Sequence, residues 1–187
     1  MKSSALILLS ATALSLAACG HKSDAPDGQA SASADAAAMA SATPSLSVSQ
    51  SFANSMASGD AFEVASSKLA ATSAGTASVK TFAAAMIKAH TDSTVKLQEA
   101  AAKASPAVVP DATLTADQQA SLEALKTLNG AAFDQAYAKA QVAGHEQALS
   151  SLNLYAKSGD APSLKAAATA MIPVVTAHLN MAKGLKP

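Results

Sequence analysis

The chain has 187 residues, a single cysteine, no tryptophan, and 13 basic residues set against 13 acidic ones, so its formal net charge is zero. One thiol excludes an internal disulfide and a Cys-ligated metal cluster, and the lack of a basic excess removes the electrostatic footprint of a nucleic-acid binder. Aromatics are only 3%, and much of the 50% hydrophobic content is alanine, a balance that favours helices packed at close range.

The first element is a leader. Lys2 precedes an apolar run from Ala5 to Leu16, which is the layout of a secretory signal. The run is shorter than the roughly 20 apolar residues of a stable membrane span. It ends in Leu16-Ala17-Ala18-Cys19, which resembles the lipobox of bacterial lipoproteins. Small residues before the cut let a peptidase approach the backbone, and the Cys19 thiol is the atom that takes lipid. Residues 1–18 are therefore expected to be a lipoprotein signal peptide, with membrane attachment through lipid on Cys19. Several acyl chains on one residue give stable anchoring. Gly20 stands where an aspartate tends to hold enterobacterial lipoproteins at the inner membrane. The expected address is thus the outer membrane, facing the periplasm.

Residues 19–46 read as a tether. Ser, Ala, Asp, Gly and Pro dominate, and large apolar side chains are nearly absent. Such a segment cannot bury enough surface to offset its ordering entropy.

Residues 47–187 read as the folded domain. Helix is predicted over 47–73, where Phe52, Met56, Gly59, Glu63 and Ala70 recur near the 3.6-residue period, with Ser47 or Ser49 as cap. A second helix is predicted over 76–103, with Phe82, Met86, His90, Ser93 and Leu97 on one stripe, ended by Pro106 and Pro110. Thr115-Ala116-Asp117-Gln118 opens a short helix over 115–128, and Asn129-Gly130 interrupts the pattern. A third long helix follows over 131–157, carrying Phe133, Tyr137, Gln141, His145, Leu152 and Tyr155. After the Ser158–Pro162 turn, with Asp160 as the expected cap and Pro162 an early helical position, the fourth carries Leu164, Ala168, Met171, Val175, His178 and Ala182. Pro173 inside it should kink it. The fold class is therefore all-α, an up-down-up-down four-helix bundle with an extra short helix before the third long one. Ser78-Val79-Lys80 through Met86-Ile87 echoes Ser163-Leu164-Lys165 through Met171-Ile172, as two related helical hairpins would.

His90, His145 and His178 fall one per helix on three apolar stripes, and helix one offers Glu63. Glu63 lies 12 residues before Gly75 and His90 15 after it; His145 lies 15 before Asp160 and His178 18 after it. With both turns at one end, a rise of roughly 1.5 Å per residue puts the four within about 9 Å in depth. Imidazoles with one carboxylate suit zinc, copper, iron or nickel, so Glu63, His90, His145 and His178 are the candidate ligands of one transition metal ion. The other reading is a buried polar cluster without metal. Glu146 points about 100° away from His145 around the helix. No catalytic triad, phosphate loop, dinucleotide fingerprint or His-Glu-x-x-His motif is present, so no catalytic residue is assigned and a non-enzymatic role is expected.

Phe52 through Glu63-Val64, Lys68-Leu69-Ala70, Val79-Lys80-x-Phe82-Ala83, Met86 to His90-Thr91, Gly130-Ala131-Ala132-Phe133-Asp134-x-Ala136-Tyr137, His145-Glu146, Ala156-Lys157-Ser158-Gly159 and Pro173 through His178-Leu179 form an ordered set. It resembles the bacterial envelope family known as domain of unknown function 4142. The resemblance implies a ferritin-like fold and a predicted outer-membrane protein, and no settled activity. Ferritin-like di-iron sites use Glu-x-x-His pairs. Here Ile87, Val142 and Val175 stand three before the histidines, which argues against di-iron chemistry. The expected function is an envelope-anchored bundle that holds a metal ion or small ligand in its core. The alternative is a stress-related envelope interaction module, its partner unidentified, in which the histidines are purely structural.

Overall fold

The computed structural model describes residues 46–186. The leader, Cys19 and the tether up to residue 45 lie outside the described residues. Within them the fold is all-α, with no strand: α1 (Val48–Ser73), α2 (Ala77–Ala102), α3 (Ala116–Lys126), α4 (Gly130–Ser158) and α5 (Pro162–Lys183). Each predicted helix is present, with bounds within two or three residues of expectation.

The caps explain most of the boundaries. Ser47 accepts the Gln50 N–H at the start of α1, and Thr76 accepts the Val79 N–H at the start of α2. Thr115 and Gln118 form a reciprocal capping box on α3, in which two otherwise orphaned N–H groups are satisfied. The expected Asp160 cap is not found. Ala161 occupies the N-cap without a side-chain bond, and Pro162 opens α5. Asp160 instead accepts from Ser49 and from the Tyr155 hydroxyl, tying the α4–α5 turn to the start of α1. Pro173 lies inside α5 without ending it.

α1 packs along α2 and α4 along α5; α1 also meets α4, α2 meets α5, and α3 lies against α1 and α4. The ends of the helices fix their directions. The α1–α2 turn touches the start of α4, where Ala74 bridges Gly130 and Asp134 accepts the N–H groups of Gly75 and Thr76 at 3.0 and 2.8 Å. The α4–α5 turn touches the opposite ends. Phe52 stacks on Tyr155 at 3.9 Å, and Ser163 donates to the Ala100 carbonyl. The two hairpin turns therefore sit at opposite ends, and the order is up-down-down-up rather than the expected up-down-up-down. Residues 103–129 carry the chain back along the full length, with α3 as part of that return. Two glycines make the turn contact possible. A Cβ at Gly75 would lie 3.0 Å from the Gly130 backbone, and Gly130 holds φ +60°, a conformation that glycine adopts without penalty.

The core is split in two. One apolar cluster joins Phe52, Met56, Leu97, Leu152, Tyr155 and Leu164. The other, toward the α1–α2 turn, joins Val79, Phe82, Met86, Phe133 and Tyr137. Both tyrosine hydroxyls have partners, Tyr137 with Ser67 at 2.7 Å and Tyr155 with Ser49 at 3.0 Å. Between the clusters every long helix turns polar.

Candidate metal centre

The polar layer is made by periodicity. On α1 the inward stripe runs Phe52, Met56, Asp60, Glu63, Ser67, Ala70; on α4 it runs Phe133, Tyr137, Gln141, His145, Leu152. α2 supplies His90 between Met86 and Leu97, and α5 supplies His178 between Val175 and Ala182. Counted from the end that holds the α4–α5 turn, Asp60 and His90 lie 12 residues in, His145 13, Glu63 15 and His178 16. The spread is about 6 Å at 1.5 Å per residue. The level survives the reversed helix order because His145 sits near the midpoint of α4, 15 residues from Gly130 and 13 from Ser158.

One ring nitrogen from each of His90, His145 and His178 lies within 4.8 Å of the other two. The ring centroids are 5.6 to 5.8 Å apart. The far side of two rings is held. His90 Nδ1 donates to Asp60 Oδ1 at 2.7 Å, and Asp60 Oδ2 accepts from the Thr94 hydroxyl. His145 Nδ1 donates to the Gln141 carbonyl at 2.8 Å. These bonds put the proton on Nδ1 and leave a lone pair on Nε2. His90 Nε2, His145 Nε2 and His178 Nδ1 are buried and have no partner within the protein. Buried polar atoms are nearly always hydrogen-bonded, so three orphaned nitrogens on one level stand out.

Charge reinforces this. Burial pushes His145 down to about 4, opposed by its bond to Gln141 and helped by the two neighbouring histidines. Burial also lowers His178, with His90 adding to it. Both rings stay neutral and able to ligate at neutral pH. At His90 burial disfavours the charge, but the Asp60 hydrogen bond and the nearby carboxylates outweigh it and raise its pKa.

Glu63 is buried and pushed up to about 7 by desolvation, with the His90 charge pulling the other way. Its Oε1 lies 3.9 Å from His145 Nδ1, the nitrogen already bonded to Gln141. Glu63 thus stands beside the ring rather than among the converging nitrogens. Asp60 was missed by sequence reasoning, although the Phe52-Met56-Asp60-Glu63 spacing signals its place on the stripe. Glu146 pairs with Lys183 at 2.8 Å at the surface, as its angle predicted.

A cavity of about 410 Å³ opens onto the three histidines. It is bounded by all four long helices and, at its rim, by Asp117, Gln118 and Ser121 of α3. Among the described residues no helix is long and apolar enough to cross a membrane.

The molecule is thus an all-α domain with a three-histidine cluster at mid-height. Residues 31–185 match the model of the family described as Domain of unknown function (DUF4142), and the chain belongs to that family. No curated protein and no solved structure matches the chain.

Proposed function

We propose that this is a lipid-anchored protein of the bacterial envelope whose ferritin-like bundle holds one transition-metal ion on His90, His145 and His178. The observation that carries the metal reading is the convergence of three unpartnered, buried ring nitrogens within 4.8 Å. Tetrahedral zinc with bonds of 2.0–2.1 Å needs nitrogens about 3.4 Å apart, so closing the triad takes shifts of about 1 Å. Asp60 behind His90 is the carboxylate that orients a ligating imidazole and raises its basicity. Three imidazoles with an open fourth position suit zinc first, and copper, iron or nickel after it. Ile87, Val142 and Val175 leave no bridging carboxylates, which favours one ion over a di-iron pair. The antiparallel neighbours and the single long return through α3 support the ferritin-like topology.

The experiment is metal analysis of the full chain by mass spectrometry. One ion per chain is expected, lost in a His145→Ala, His178→Ala double variant. An empty chain with no thermal shift in zinc, copper, nickel or iron overturns the metal reading and leaves the histidines as structure. Anchoring is tested separately: Cys19→Ser should abolish labelling by radioactive palmitate, and normal labelling would refute it.

A further inference from the structure

The cavity beside the histidines exists because small residues stand where bulky ones would fill the core. Gly59, Ala140 and Ala148 line it, whereas beside Gly144 the space is held by Glu63, whose Oε1 lies 3.1 Å from a Cβ built there. A Cβ built at Gly59 meets nothing within 4 Å, so that face of α1 looks onto open space. Much of the remaining wall is apolar, from Met56, Phe62, Leu152, Met171 and Val175. Close packing is the rule in protein interiors, and about 410 Å³ is within the 300–1,000 Å³ range of small-molecule pockets. His90, His145 and His178 line the cavity together with Ser93 and Glu63, whose Oγ and Oε2 are buried and unpartnered.

These features make two demands on an occupant. Its tail must be apolar and slim. Its head must offer an oxygen donor to a cation held by three neutral rings, and an acceptor to the Ser93 O–H. We infer that the cavity binds a short alkyl carboxylate, with its head on the metal's open position and on Ser93 and its chain along the apolar walls toward Gly59. At roughly 30 Å³ per water-sized group, about 410 Å³ has room for about fourteen such groups, so an alkyl chain of hexanoate's length fits. The inference rests on the metal reading above.

The test uses the full chain in lipid nanodiscs, loaded with Co²⁺ as a spectroscopic stand-in and titrated with acetate, butyrate and hexanoate. The readout is the visible d–d absorption of the ion, which changes when an oxygen donor joins it. Each buried methylene should tighten binding about fourfold, so hexanoate should bind on the order of 100 times more tightly than acetate. Gly59→Leu places a side chain in the cavity, and leucine is a better helix former than glycine, so the fold is retained. That variant should still take up Co²⁺ yet flatten the series to less than tenfold in the same discs, where partition into lipid cancels. Ser93→Ala should weaken all three carboxylates equally. Equal affinity for acetate and hexanoate in the Co²⁺-loaded protein, or no spectral response to either, overturns this inference while the metal reading stands. Failure to take up Co²⁺ overturns the metal reading and this inference with it.

Discussion

Replacing Asp134 by alanine tests the arrangement of the helix ends. Asp134 is fully buried near the start of α4, and its two oxygens take the N–H groups of Gly75 and Thr76. These donors lie 58 and 59 residues away in sequence, so the carboxylate ties the first hairpin turn to the third long helix. Hydrogen bonds to a charged group contribute about 1.5–3 kcal/mol each. Two would suggest up to about 6 kcal/mol, but Gly75 is exposed and Thr76 half-buried, so water can replace part of what is lost. Removing a buried carboxylate also relieves its desolvation. The expected loss is about 3 kcal/mol, or roughly 10 °C in Tm for a domain of this size. Urea unfolding followed by far-ultraviolet circular dichroism measures it. Asp134→Asn keeps one acceptor and turns an NH₂ toward the other donor, so it should recover at most half. Metal uptake should be unchanged in both variants. A loss below about 0.5 kcal/mol would refute the assigned contact and, with it, the placement of the two turns at opposite ends.

Three further outcomes are expected. Asp60→Asn should lower metal affinity by about 10- to 100-fold, the usual effect of losing a partner behind a ligating histidine, with apparent affinity read by competition against a chromophoric chelator. Glu63 has a folded pKa raised from 4.5 to about 7, so its contribution is fully present below pH 4.5 and is lost as pH rises through 7. In the metal-free chain, Glu63→Gln relative to the parent should therefore gain about 3 kcal/mol between pH 4.5 and 8, and a pH-independent difference in urea midpoints would contradict the assigned burial. Gly130→Ala, at φ +60°, should cost about 1–2 kcal/mol, seen as a lower thermal midpoint.

The helices were legible because their stripes repeat near 3.6 residues and their ends carry real caps such as Ser47 and the Thr115–Gln118 box. The three histidines could be placed on one level for the same reason. Their direction of approach could not. Local patterning says nothing about whether residues 103–129 turn back at once or return along the bundle, and that return is what sets the helix order. Asp60 was passed over because Gly59 also fits the stripe at one residue's offset, and only the contact with His90 separates them. Asp160 has the composition of a cap, but its partners Ser49 and Tyr155 are set by packing between distant helices, which no local pattern reports.

The division of the core has a consequence for motion. Helix centres normally exchange their amide hydrogens last, since fraying starts at the ends. Here the two apolar clusters grip the ends of the bundle, while the middle holds unpaired polar atoms and open space. The metal-free protein should breathe at its waist, with amides flanking Asp60, His90 and His145 exchanging sooner than those near Phe52 or Phe133. An ion on His90, His145 and His178 would cinch α2, α4 and α5 together and restore the ordinary gradient. α1 contributes no histidine and joins that belt only through Asp60 behind His90.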